Sequence, residues 1–125
     1  MVGTTILVVE DSFTNLKLVE ALLKRQGFNV LAASNAQEAL AILKHAHPEL
    51  ILLDLQLPDM DGLQLARLLK KDADTKNIKI IALTASSQPK DKESARESGC
   101  DEYITKPFDT RELLEAISKL VASTK

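Results

Sequence analysis

Glu10 and Asp11 stand side by side in VVEDS, Asp54 closes an apolar run in LILLDLQLPDMDG, Thr84 lies in IIALTAS and Lys106 precedes Pro107 in YITKPF. Three carboxylates, a hydroxyl and an ammonium are spread over nearly the whole chain, so only a fold can bring them together. Gathered in one cleft, the carboxylates repel one another. Two of them about 5 Å apart cost about 3 kcal/mol at an effective dielectric of 20. Such a cluster asks for a cation. Hard oxygen donors without histidine or thiolate select Mg²⁺, which keeps several waters and takes phosphate oxygens as ligands. Lys106 adds a fixed positive charge on a flexible stem. A divalent ion and Lys106 balance the three carboxylates and leave a neutral site ready for an anion. Asp54 is the candidate nucleophile, able to form a covalent carboxyl phosphate, with the ion and Lys106 stabilising charge on the transferring group.

The elements that must position these groups alternate regularly. Strands are expected at Thr5–Val9, Asn29–Ala33, Leu50–Leu53, Lys79–Leu83 and Glu102–Thr105. ILVV, LILL and IIAL are nearly uninterrupted apolar runs, as parallel strands covered on both faces require. NVLAA and EYIT are less hydrophobic and suit the edges, so the first, third and fourth strands are central. Helical stripes lie between them: Leu16, Val19, Leu22 and Leu23; Ala36, Ala39, Leu40 and Leu43; Leu65, Ala66, Leu68 and Leu69; and Leu113, Leu114, Ile117, Leu120 and Val121. Gly27 sits where the first helix would end. Asn35 with Glu38, Asp61 with Gln64, and Asp109 with Glu112 are the expected N-terminal caps. The segment Pro89 to Ser98 has Ala95 as its one small apolar residue and is expected to be the least firmly held. Five βα units in alternation imply right-handed crossovers and a doubly wound α/β sheet. Such sheets bind ligands at the carboxyl ends of their strands, where all five chemical residues fall.

Composition narrows the classes. At 125 residues the chain fits one domain, residues 1–125, able to fold without disulfides or metal. Sixteen basic against eighteen acidic residues give a net charge of −2, which speaks against binding nucleic acid or an anionic membrane by bulk electrostatics. The lone Cys100 excludes an internal disulfide and a zinc ribbon; a reducing cytoplasm is the simplest location. No targeting segment and no run of roughly 18 apolar residues is visible.

With these residues in view, the chain resembles the receiver domains of two-component response regulators, from VVEDS to the helix after ITKPF. Any one motif is weak; the strand-end matches in this order and spacing are highly specific. The resemblance implies a flavodoxin-like (βα)5 three-layer sandwich with parallel sheet order 2-1-3-4-5. It implies a phosphorylation-dependent signalling switch: a phosphoacceptor that catalyses only its own phosphorylation and dephosphorylation. Asp54 would take phosphate from a phosphohistidine on a histidine kinase or histidine phosphotransfer protein. Glu10, Asp11, Asp54 and the Gln56 backbone carbonyl would hold Mg²⁺, with Mn²⁺ as a substitute. Thr84 would swing toward the phosphoryl group with Tyr103 rotating behind it, and Lys106 would contact the phosphoryl oxygens. A cis peptide is implied between Lys106 and Pro107. The fourth helix, fifth strand and fifth helix would face a protein target. No nucleic-acid or membrane partner is expected, and a monomer or weak dimer is. Gln56 and Ser86 occupy positions that tune phosphate lifetime, so the lifetime does not carry over.

Several residues have blander readings. Asp61 and Asp109 are better read as helix caps, and Asp11 alone would be too. Tyr103 has a competing role in edge-strand packing. His45 and His47 read as exposed loop residues, Cys100 as a packing residue, and Lys70, Lys71, Asp72, Asp74 and Lys76 as a solvated helix end. Two functional alternatives remain. One is a Mg²⁺-dependent aspartyl-phosphate phosphohydrolase, which would want an acid at position 56, where Gln stands. The other is a constitutive protein-docking module, which would not need Asp11, Asp54 and Lys106 together. If the receiver fills all five units, no DNA-binding or enzymatic effector fits within 125 residues.

Overall fold

The computed structural model describes residues 3–122. Five strands, β1 (Thr5–Val9), β2 (Asn29–Ala33), β3 (Leu50–Asp54), β4 (Lys79–Thr84) and β5 (Glu102–Thr105), alternate with five helices, α1 (Phe13–Arg25), α2 (Ala36–Leu43), α3 (Gly62–Lys71), α4 (Pro89–Glu97) and α5 (Thr110–Ala122). All strand pairs are parallel, in the order β2-β1-β3-β4-β5. The expected fold class and strand order are those found. β3 and β4 each run one residue further than the apolar patterns indicate, so Asp54 and Thr84 are the last residues of their strands.

The apolar runs are continuous because each central strand feeds two cores. Along β1, Leu7 and Val9 enter the core beneath α2, α3 and α4, whereas Ile6 and Val8 enter the core beneath α1 and α5. β3 alternates likewise, with Ile51 and Leu53 on the first side and Leu50 and Leu52 on the second. β2 and β5 are partly exposed, in keeping with their edge positions.

Local chemistry sets the helix ends. Ser12, not Asp11, caps α1 by accepting the Asn15 N–H (3.3 Å), which leaves Asp11 exposed and uncommitted to the helix. Gly27 follows α1 at φ +92°, a left-handed conformation that glycine adopts without a Cβ penalty. Asn35 accepts the Glu38 N–H (2.7 Å), while Glu38 reaches back to the Ser34 N–H (2.7 Å) and hydroxyl (2.9 Å), a capping box shifted by one residue. Asp61 caps α3 through the Leu63 N–H (2.9 Å), and Asp109 accepts the Glu112 N–H (2.7 Å) ahead of α5. α4 has Pro89 in its first turn and no side-chain cap at Gln88. Among the described residues no helix is long and apolar enough to cross a membrane.

Two expectations are corrected. Leu68 is 44% exposed and stands off the α3 stripe. Lys70 does not belong to a solvated helix end: its ammonium donates to the Ile78 carbonyl (2.8 Å) and the Asp101 carboxylate (3.1 Å), and Asp101 also accepts the Ile80 N–H (2.9 Å). Gly99 makes room for that side chain, since a Cβ there would meet the Lys70 Cγ at 2.5 Å. His45 and His47 are exposed, and Cys100 is buried, as expected.

Candidate functional site

Strand register converts scattered sequence positions into one cleft. Val9 of β1 lies opposite Leu53 of β3, so Glu10 comes abreast of Asp54. Asp54 lies opposite Leu83, one residue before Thr84, and Thr84 lies opposite Thr105, one residue before Lys106. The Lys106 N–H donates to the Thr84 carbonyl (2.6 Å), which extends that pairing one step past β5.

The Lys106 ammonium bridges Glu10 Oε1 and Asp54 Oδ2, 3.0 Å from each. Glu10 and Asp54 are almost fully buried. Burial, and then the neighbouring Asp54, push the Glu10 carboxyl above its ordinary range. Burial alone would lower the Lys106 ammonium; its hydrogen bonds to Asp54 and Glu10 outweigh that and raise it. One ammonium thus faces two buried carboxyl groups. Asp11 completes the group: one oxygen from each of Glu10, Asp11 and Asp54 lies within 4.8 Å of the others. These donors suit a hard divalent cation. All three are carboxylate oxygens, and the exposed Asp11 flank leaves room for the waters that Mg²⁺ retains.

Backbone donors hold the acids in place. Ser12 N–H binds Glu10 Oε2 (3.1 Å), and Gln56 N–H binds Asp54 Oδ1 (2.9 Å). α3 begins hard against this strand end, for a Cβ on Gly62 would come within 2.5 Å of the Leu55 Cα. Gln56 itself is exposed and bridges backbone-to-backbone with Asp61 across the β3–α3 loop.

On the other flank, Thr84 is buried at 8% exposure and its hydroxyl oxygen accepts the Ser86 N–H (3.2 Å). Tyr103 packs against the core beneath α4 and donates its hydroxyl to the Ser86 carbonyl (2.6 Å). The Ser86 hydroxyl donates to the Asp91 carboxylate in α4 and accepts the Gln88 N–H (3.2 Å). Thr84, Tyr103 and the start of α4 thus meet at one serine, a junction that the sequence reading missed because it depends on a loop conformation. The Lys106–Pro107 peptide is cis. A cleft of about 470 Å³ opens beside the acids between α1 and the segment after β5, with Leu18, Val19, Phe108 and Lys106 in its walls.

Comparison with known proteins supports the same assignment. The model of the response regulator receiver domain matches residues 6–118. The chain is 42% identical over 124 residues to the phosphate regulon transcriptional regulatory protein PhoB of Pseudomonas aeruginosa. That match takes in 99% of this chain and 54% of the relative, so the chain spans about half of PhoB's length. It is 36% identical over 113 residues to the polar-differentiation response regulator DivK of Brucella ovis, covering 90% of this chain and 92% of that protein. Among solved structures, the receiver domain of sensor histidine kinase PA1611 from Pseudomonas aeruginosa, with a magnesium ion in its active-site cleft, superposes with a TM-score of 0.88. It is 30% identical, and the superposition covers 96% of this chain and 98% of that one. The family model spans most of the chain and the sheet superposes on a solved receiver domain: this chain belongs to the response regulator receiver domains.

Proposed function

We propose that Asp54 is the phosphoacceptor of this signalling switch and that it receives its phosphoryl group from a phosphohistidine on a kinase or phosphotransfer protein. One observation carries the reading. Lys106 contacts both buried acids at 3.0 Å, within a three-carboxylate cluster at the carboxyl edge of the sheet. In the transfer, an Asp54 oxygen forms the new P–O bond as the P–N bond to the donor imidazole breaks. The imidazole nitrogen keeps the electron pair and takes a proton from solvent. Glu10, Asp11, Asp54 and the Gln56 backbone carbonyl would hold Mg²⁺, with Mn²⁺ as a substitute. Bound there, the ion supplies positive charge against the repulsion between the entering phosphoryl oxygens and the carboxylates. Lys106 is placed to give up part of its carboxylate contact for a phosphoryl oxygen. The Thr84 hydroxyl only accepts from Ser86 in this arrangement, so its proton is available to a second phosphoryl oxygen.

The chain is a phosphoacceptor rather than an enzyme of turnover, and the loss of its own phosphate belongs to this proposal. A phosphohydrolase would need an acid at position 56, and the exposed Gln56 supplies none. A protein target on the face of α4, β5 and α5 would read the switch, with the two states of that face in pre-existing equilibrium.

Acetyl phosphate with Mg²⁺ should add one phosphoryl group to the wild type by intact-mass measurement and none to Asp54→Asn. Asp11→Ala should reduce the rise in melting temperature that millimolar Mg²⁺ gives the wild type. Phosphorylation of Asp54→Asn at the wild-type extent would move the acceptor elsewhere.

A further inference from the structure

The β3–α3 loop, residues 55–61, is fastened at both ends by its own neighbours. The Leu55 N–H donates to the Leu83 carbonyl (3.0 Å), the Gly62 N–H to the Leu55 carbonyl (3.1 Å), and Gln56 bridges Asp61. The tip of the loop lies beyond these bonds and is held from a different element. Asp59 reaches across to α2, where its Oδ1 accepts the Ala36 N–H (2.9 Å) and its Oδ2 accepts the Gln37 N–H (2.9 Å).

α2 has a cap of its own in Asn35, Glu38 and Ser34, which satisfies the Glu38 N–H and leaves the Ala36 and Gln37 amides to Asp59. Asp59 is exposed, so water competes for its carboxylate and the bonds contribute modestly to overall stability, although the Ala36 amide belongs to a buried residue. The contact does more as a restraint. α2 is seated on the sheet through the buried Ala36, Ala39 and Leu43, so its first amides are fixed relative to β3. A carboxylate gripping two adjacent amides with two oxygens fixes the loop tip in both distance and orientation. The same amides, Ala36 foremost, hold the Asp59 carboxyl below its ordinary range, so it is charged throughout neutral pH. Behind the tip lies Gln56, whose N–H already orients Asp54 Oδ1.

We infer that Asp59 is a positioning residue for the divalent-cation site: its clamp on the start of α2 sets the β3–α3 loop so that the Gln56 backbone and the Asp54 carboxylate stand where the ion needs them. This rests on the metal site proposed above. Partners one shell removed from a metal ligand typically change affinity 10- to 100-fold, and Asp59 acts one bond further out, so the low end applies.

The test compares Asp59→Ala with Asn35→Ala, which weakens the same helix end without touching the loop. Mg²⁺ titration by calorimetry should give an affinity about tenfold weaker for Asp59→Ala and within twofold of wild type for Asn35→Ala. At saturating Mg²⁺ the acetyl phosphate rate of Asp59→Ala should return to within about twofold of wild type. Wild-type affinity in Asp59→Ala overturns the inference. So does an equal weakening in Asn35→Ala, which would assign the effect to fraying of α2. Absence of saturable Mg²⁺ binding in the wild type would overturn the metal site as well, so the two failures are distinguishable.

Discussion

α4 and α5 lie on opposite faces of the sheet at its β5 end, and they are held there by different means. α5 buries Leu113 and Ile117 completely and Leu120 and Val121 nearly so, next to Ile104 of β5. Side chains of that size each contribute roughly 1.5–3 kcal/mol when fully buried. α4 buries Ala95 alone, a methyl group worth about 0.8 kcal/mol by the same measure. Its remaining anchors are polar: the Ser86 hydroxyl on Asp91, and the Tyr103 hydroxyl on the Ser86 carbonyl beside it. The Arg96–Glu93 pair is exposed and adds little. Successive residues of β5 therefore report to unequal neighbours, Ile104 to a packed helix and Tyr103 to a tethered one. An apolar interface changes only by repacking, whereas a helix held by a few hydrogen bonds can be reset when those bonds change partners. Thr84 shares Ser86 with both Tyr103 and α4, so hydrogen bonds join the end of β4 to α4.

The contrast is open to mutation. Leu113→Ala should cost about 2–5 kcal/mol of unfolding free energy, because it leaves a cavity under a fully buried side chain. Denaturant titration by circular dichroism checks it, and a loss below about 1 kcal/mol would show that α5 is no better anchored than α4. Ala95→Gly should cost about 1–2 kcal/mol, most of it lost helix propensity, the methyl adding the rest. A loss equal to that of Leu113→Ala would erase the distinction between the two helices.

How far this was legible depends on the range of the interaction. Strand order, the two-sided cores and the convergence of Glu10, Asp54, Thr84 and Lys106 follow from apolar runs and from the geometry of parallel sheets, so the motifs and their spacing were enough. Caps were legible where the partner lies three residues away, as at Asn35 and Asp109. Asp59 was not, because its partners are 22 and 23 residues distant and a carboxylate in LPDMDG reads as an ordinary turn residue. Lys70 failed for a similar reason. A lysine near a helix end is usually solvated, and only the missing Cβ of Gly99, 29 positions on, lets it reach the Ile78 carbonyl. The weak anchoring of α4 was visible in KDKESARE, but the serine that tethers it was not, since Ser86 acts through a loop conformation that composition does not encode.

The smallest expected effect isolates that tether. Cys100 lies behind α4, buried beside Ala95, whose carbonyl accepts the Cys100 N–H (3.1 Å). Burial pushes its thiol up to about 11 from an ordinary 9.0. The native thiol is therefore much poorer in thiolate than an unfolded one, and labelling by a thiol reagent should speed up with openings that lift α4 from it. Ser86→Ala removes the hydroxyl that binds Asp91 and accepts the Gln88 N–H, the exposed Gln88 bond adding little, and leaves the backbone groups that hold Thr84 and Tyr103. A net hydrogen bond of about 0.5–1.5 kcal/mol corresponds to labelling roughly 2- to 12-fold faster than wild type, with far less change in global stability than Leu113→Ala causes. If Ser86→Ala labels at the wild-type rate, the serine is not the anchor of α4. If it labels faster only in proportion to a fall in global stability, the opening is of the whole domain, and the two helices detach together.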